Sequence, residues 1–315
     1  MTGRDSQASR DVRDVPASVR ARLTNEARKA DRPFQEVLTH FTLERFLYRL
    51  SRSPHGDRFV LKGGLLLRAW EGPVSRPTRD ADLLGRGDPS IDGLVRVMRD
   101  VCVTPVEPDG LHFDPAAVRG ERTRPDEEYQ GVQLHLVGHL GQARTTFKVD
   151  VGFGDAVVPG PVELDYPTIL DLPAPRLRAY TRESVVAEKF QAMVSLGEVN
   201  SRLKDFYDVW FLAHRHPFDA TTLGAAISVT FVRRGTALPT EPTPLSAAFG
   251  EDPPRQTQWA AFLRRTAPPE APVGFADVVT GLRQFLQPLV TALRAGGERS
   301  LGTWRGAAWS EPTGR

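Results

Sequence analysis

Apolar residues recur every three or four positions in some stretches of this chain and every second position in others, and these two periods divide it into elements. Val19, Leu23 and Ala27 lie four apart, and Phe34, Val37, Leu38 and Phe41 continue a helical face after Pro33, which predicts helices over 16–30 and 33–52. Phe59-Val60-Leu61 runs into Gly63-Gly64, and Leu65 to Trp70 is helical in pattern, so this stretch reads as strand, tight turn, helix. Residues 79–84 read as a strand with Asp80 and Asp82 on one face and Ala81 and Leu83 on the other. A helix from Ser90 to Val101 follows, capped by Asp88 or Ser90. Strands are predicted over 129–138 and 145–153; in the second, Phe147, Val149 and Val151 alternate with Lys148, Asp150 and Gly152. The segment 157–179 carries five prolines and reads as a linker. Helices over 182–197 and 201–214 follow, then a Pro-rich loop over 235–254 and a last helical stripe from Val278 to Leu293. There is no internal repeat. This order predicts an α+β fold: a mobile N-terminus over 1–15, a mixed sheet with helices over 16–165, and a mainly helical domain over 166–315.

Composition narrows the class without choosing a chemistry. The 315 residues are 40% hydrophobic and 25% charged, ordinary for a globular protein with a sizeable core. A net charge of +2 permits local contact with nucleic acid but does not demand it. The single cysteine, Cys102, excludes an internal disulfide framework and a multi-Cys zinc site, and its valine neighbours mark it as a small buried hydrophobe. No apolar run approaches 18 residues and the N-terminus has no leader-like core, so a cytoplasmic protein with no membrane association is expected. Arginine is so dominant that its abundance carries little meaning. Lysine is different, because four of the five lysines fall in small polar clusters around residues 62, 148, 189 and 204.

Those clusters hold the candidate chemistry. On a strand, Asp80 and Asp82 would lie roughly 7 Å apart at Cα, and two adjacent carboxylates repel. A divalent cation resolves that conflict, and Asp150 on a neighbouring strand is a third possible ligand. The competing reading pairs the two acids with Arg76 and Arg79 on a surface edge. Gly63-Gly64, 17 residues before Asp80, lets backbone approach a triphosphate at a helix N-terminus, or is a plain tight turn. Lys62 either reaches phosphate or is a solvated surface lysine. Lys189 and Asp205/Asp208 stand on successive helices, as a nucleotide-handling set or as an interhelix salt bridge. No P-loop and no Gly-x-Ser-x-Gly elbow occurs, and the scattered histidines gain no chemistry from their spacing.

Leu61-Lys62-Gly63-Gly64, Arg79-Asp80-Ala81-Asp82-Leu83, Lys148-Val149-Asp150-Val151, Ala187-Glu188-Lys189 and Lys204-Asp205-Phe206-Tyr207-Asp208, in this order, resemble the motifs of the nucleotidyltransferase AbiEii/AbiGii toxins. The resemblance spans residues 61–208. It implies a nucleotidyltransferase-like domain of the DNA polymerase β superfamily, with the helical half completing the active site. It further implies transfer of a nucleoside monophosphate from an NTP, with Mg²⁺ as two ions, to an RNA acceptor, the 3′ end of tRNA, so that aminoacylation and growth stop. Asp80, Asp82 and Asp150 match the metal carboxylates, and Lys62, Lys189 and Asp208 match positions needed for activity. The catalytic set is then Asp80, Asp82, Asp150, Lys189 and Asp208, and the nucleotide-binding set Lys62, Gly63, Gly64, Lys148 and Lys189. Gly64 replaces the superfamily's usual Ser, and Leu65 stands where Thr is frequent, which removes a possible phosphate contact. A separately encoded antitoxin is the implied partner. Two other readings stay open: a protein or small-molecule hydroxyl as acceptor, and a non-catalytic nucleotide- or nucleic-acid-binding module. An excess of basic over acidic residues, 10 to 7 over residues 1–50 and 8 to 4 over 255–315, suits a phosphate-facing rim or an ordinary solvated surface.

Overall fold

The computed structural model describes residues 14–72, 78–123, 131–296 and 301–310. Most of the expected mobile N-terminus, residues 1–13, lies outside them, as do Arg76 and the first two positions of the strand expected at 129. Asp14 and Val15, the last two positions of that N-terminal stretch, are the cap and the first residue of a helix. The Asp14 side chain accepts from the Ala17 amide and starts α1 (Val15–Lys29), with Pro16 in the first turn. Val19, Leu23 and Ala27 bury the face of α1 that packs on α2 (Phe34–Arg52).

Among the described residues one mixed sheet organises the N-terminal half. Its strands are β1 (Phe59–Lys62), β2 (Asp80–Gly85), β3 (Leu111–Phe113), β4 (Arg119–Thr123), β5 (Gly131–Leu140), β6 (Ala143–Gly152), β7 (Val162–Asp165) and β8 (Arg176–Ala179). The order is β3-β5-β6-β2-β1-β8-β7, with β4 pairing the other end of β5. β2–β6 and β1–β8 are parallel; the remaining pairs are antiparallel. Period-2 alternation gives the sheet one apolar face, where Ala81, Leu83, Leu134, Leu136, Phe147, Val149 and Val151 are buried. α2 covers that face: Phe46 meets Phe147 edge-on at 5.3 Å and Phe113 at 5.9 Å. Arg49 on α2 makes a two-point bond to the buried Asp109, 2.6 and 3.0 Å, and Arg45 reaches the same carboxylate at 3.3 Å, which ties α2 to the start of β3. α4 (Ile91–Cys102), capped by Ser90, packs beside α2 and on β4, with Cys102 buried as expected.

Three expectations need correction. The segment 157–179 is not a linker, because β7 and β8 lie within it and β8 pairs with β1, so the sheet continues past residue 166. Strand β2 is not a surface edge, because it sits between β1 and β6. The Pro-rich stretch 235–254 is not all loop either, since it holds a 3-10 turn and α8 (Ala247–Glu251).

The C-terminal half is largely helical, in α5 (Arg182–Leu196), α6 (Leu203–Arg215), α7 (Ala220–Arg233), α9 (Pro253–Thr266) and α10 (Phe275–Ala295). α5 packs on α6 and α7, and α10 on α6 and α8. A small antiparallel sheet, β9 (Phe218–Asp219), β10 (Thr303–Trp304) and β11 (Trp309–Ser310), brings Trp304 and Trp309 to within 5.0 and 5.8 Å of Phe285 on α10. None of the helices among the described residues is long and apolar enough to cross a membrane.

Candidate active site

The polar face of the sheet carries the candidate carboxylates, and strand register lines them up. Lys62 lies opposite Asp82, Asp82 opposite Asp150, and Asp150 opposite Gln133, so one row crosses β1, β2, β6 and β5. Asp80, Lys148 and His135 form the next row. Neighbouring strands are about 4.8 Å apart, so Asp82 and Asp150 are held as close neighbours by backbone pairing alone. The turn between β1 and α3 (Gly64–Glu71) closes over them. Gly63 has φ +72, and a Cβ there would lie 1.9 Å from Asp82 Oδ2. Only glycine fits both the backbone and the carboxylate beside it.

The three acids are ill at ease as anions. Burial raises Asp80 above the usual carboxylate range, and the Asp82 charge adds to it. Burial also raises Asp82, opposed by Lys62 and reinforced by Asp150. Asp150 is raised by burial and by Asp80, against the bond from Gln133. Among the described residues no group of three His, Cys, Asp or Glu side chains forms a ready-made metal cage. The donor set nevertheless suits Mg²⁺ brought in with a substrate, since that ion takes one or two carboxylates and completes its shell from phosphate oxygens and water. A cation would also relieve the mutual repulsion that burial magnifies.

Beside the acids lies a cleft of about 300 Å³, lined on the sheet side by Lys62, Gly63, Gly64, Asp80, Asp82 and Asp150, and on the helical side by Glu188, Lys189, Arg202, Lys204 and Arg234. The structure therefore brings together all the sequence-predicted positions except Lys148 and Asp208, which do not line the cleft. Asp208 is fully buried on α6, and Lys189 on α5 lies 2.9 Å from it and 2.6 Å from Asp205 Oδ1. The interhelix salt bridge is thus present, at the cleft wall. Arg202 Nε approaches the other oxygen of Asp205 at 2.9 Å. Lys204 acts at longer range, its charge opposing the upward shifts of both Asp80 and Asp82. Lys148 Nζ donates to Gln133 Oε1 at 2.7 Å, and Gln133 Nε2 donates to Asp150 Oδ1 at 2.8 Å.

Lys62 is not a solvated surface lysine. Its ammonium is held by Asp155 at 3.0 Å and Glu188 at 3.5 Å. Arg234 bonds Asp155 at 2.9 Å and lies 3.3 Å from Glu188, while Tyr180 donates its hydroxyl to Glu188 at 2.8 Å. Two acids and two bases thus form a closed quartet that joins β1, the loop after β6, α5 and the end of α7. Against the pull of burial, Lys62 and Arg234 draw Asp155 down to about 2. Burial pulls Lys62 the other way, but Glu188 and Asp155 more than offset it and keep the lysine charged. Sequence reasoning gave no role to Asp155, Glu188, Tyr180, Arg234 or Gln133. Glu188 stands inside a quoted motif and Gln133 falls on the polar alternation of its strand; the other three carry no signal in the sequence.

No curated protein matches the chain. Two solved structures are similar to it: JHP933 from Helicobacter pylori, 14% identical over 83% of this chain and 93% of that one with a TM-score of 0.45, and a putative nucleotidyltransferase from H. pylori, 15% identical over 83% and 96% with a TM-score of 0.45. A family model, the nucleotidyl transferase AbiEii toxin of type IV toxin–antitoxin systems, matches residues 45–287, a span that holds the carboxylate row, the quartet and both helices of the Lys189 bridge. The chain belongs to the AbiEii nucleotidyltransferase toxin family.

Proposed function

We propose that this protein transfers a nucleoside monophosphate from an NTP to an RNA acceptor, the 3′ end of tRNA, and so arrests translation and growth. The observation that supports this most is the cross-sheet row Lys62–Asp82–Asp150, with Asp80 on the same face at the cleft. Asp80, Asp82 and Asp150 would hold Mg²⁺, which supplies positive charge to the phosphate oxygens as negative charge builds there. The chain's own residues do the rest. Lys204 and Arg202 add positive charge at the cleft wall, and Lys189 is fixed there by Asp205. The first turn of α3, opened by Gly63, presents backbone amides to phosphate. In the step itself a ribose hydroxyl attacks the α-phosphorus, and the bond to the bridging oxygen of pyrophosphate breaks. The choice of RNA as acceptor rests on family membership and on the basic excess near both ends of the sequence. A separately encoded antitoxin is part of the same proposal, through the family's toxin–antitoxin character.

The test is to incubate the protein with Mg²⁺, each α-labelled NTP in turn, and total cellular RNA and protein. Label is expected in the tRNA band with wild type. Asp80→Asn keeps the shape and removes charge, so it is expected to fold normally and lose roughly 10²-fold or more in rate. Label on a protein band would move the acceptor to a protein hydroxyl. Near-normal transfer by soluble Asp80→Asn would sink the carboxylate assignment.

A further inference from the structure

Lys148, Gln133 and Asp150 make a directed chain of hydrogen bonds across β6 and β5, and its direction can be read from charge. An amide has one donating and one accepting end. The Lys148 ammonium can only donate, so it takes Gln133 Oε1, 2.7 Å away, and the amide must turn its Nε2 toward Asp150 Oδ1 at 2.8 Å. The reversed amide would set NH₂ against an ammonium and a carbonyl against a carboxylate, and both contacts repel. Lys148 therefore selects one of the two orientations of Gln133, and Gln133 in turn fixes the rotation of the Asp150 carboxyl group. With Oδ1 engaged, Oδ2 is the oxygen that accepts no hydrogen bond among the described residues, and Asp150 lines the cleft. Burial supports the arrangement, since Lys148, Gln133 and Asp150 are all partly shielded and the bonds between them compete with less water.

We propose that Gln133 is a positioning residue for the transfer site, and that Lys148, rather than gripping the nucleotide, acts by locking the Gln133 amide so that Asp150 presents a single defined oxygen to the cleft. The inference rests on the reading of Asp150 as a working carboxylate of nucleotidyl transfer. It sets Lys148 apart from the lysines at positions 62, 189 and 204, which line the cleft where Lys148 does not. Groups that orient a metal-bound side chain typically cost roughly 10- to 100-fold in affinity or activity when removed.

The experiment uses the full chain and two readouts. One is steady-state transfer, resolved into kcat and KM for the NTP. The other is Mn²⁺ affinity, measured by electron paramagnetic resonance with a non-hydrolysable NTP present, which needs no turnover. Gln133→Met keeps length and removes the amide; kcat and Mn²⁺ affinity are each expected to fall roughly 10- to 100-fold, with KM for the NTP little changed. Lys148→Met is expected to reproduce that pattern, and the double variant to be no worse than the more impaired single one, because both act through one carboxylate. Gln133→Glu adds a discriminating arm. It preserves shape and the partnership with Lys148, so a merely structural role makes it the mildest change. As a positioning residue it turns an anionic oxygen toward Asp150 and is at least as damaging as Gln133→Met.

Unchanged kcat and Mn²⁺ affinity in Gln133→Met would overturn the inference. So would Lys148→Met raising KM for the NTP while Gln133→Met leaves it alone, since Lys148 would then bind the nucleotide itself. If Gln133→Met fails to fold, Lys148→Met decides on the same two readouts. If wild type labels no acceptor at all, the transfer reading falls, while the Mn²⁺ titration still rules on Gln133.

Discussion

Gly63 shows how much of the site depends on one missing side chain. Its backbone, φ +72 and ψ −151, lies in a region that costs an L-residue about 1–3 kcal/mol, and a methyl group would land within the Asp82 carboxyl. Gly63→Ala is therefore expected to displace Asp82, lower the melting temperature by a few degrees and reduce transfer about 10²-fold; an alanine variant with full activity would mean that Asp82 moves freely. At this scale the sequence was informative where chemistry follows from local spacing. Asp80 and Asp82 are one residue apart on a strand, so their shared face is forced by the pleat, and Asp150 is placed by the same alternation. It was silent where chemistry depends on residues remote in the chain. The partners of Lys62 stand 93 and 126 positions away, and nothing near Asp155 or Arg234 announces that they converge on it.

At the scale of elements, α5 and α6 are bound to each other by Lys189 between Asp205 and Asp208, both carboxylates shielded from water. Removing one partner of a buried pair costs about 3–5 kcal/mol where the opposing charge is left alone; here Asp205 keeps Arg202 at 2.9 Å, so the loss is expected at or below the low end of that range. Lys189→Ala is thus expected to lower thermal stability clearly, besides weakening use of the triphosphate. Lys189→Ala combined with Asp205→Asn should recover part of the stability and none of the activity; recovery of both would reduce Lys189 to a tie between helices. Helices α1, α2, α5 and α6 were legible because their apolar stripes are long and three of them open on or near a capping side chain or proline. β7 and β8 were not. Each is four residues long and directly preceded by a proline, and β8 alternates arginine with apolar residues, too brief to set against the turn signals around it. Its place beside β1 comes from tertiary pairing, which leaves no local trace.

The whole molecule also stores two opposed proton linkages on α2. Burial raises Glu44 to about 7, against its bonds with Ile169 and Arg45, and burial lowers His40 to about 3. A raised carboxylate is protonated in the native state while the unfolded chain ionises, so Glu44 costs stability as pH climbs from about 4.5 to about 7. A lowered histidine is neutral in the native state while the unfolded chain takes up a proton, so His40 costs stability as pH falls from about 6.5 to about 3. The two effects offset one another between about 4.5 and 6.5, so this pair together adds little net pH dependence to stability there. Glu44→Gln should break the balance: its melting temperature should exceed that of wild type at pH 8 and keep rising between pH 5 and 7. A wild-type-like profile in that variant would show that Glu44 is ionised throughout.

The quartet around Lys62 has a consequence in time. Its members enter the growing chain in the order Lys62, Asp155, Glu188 and Arg234, and β1 must wait for β8 before it has both sheet neighbours. At roughly 5–20 residues per second, the interval between Lys62 and Arg234 leaving the ribosome is on the order of ten to thirty seconds. Until Arg234 emerges, Lys62 has two acids to choose between and no second base to settle the charge. A nascent or prematurely ended chain thus holds the carboxylate row against an incomplete wall, and the proposed transfer site is closed only after Arg234 has been made.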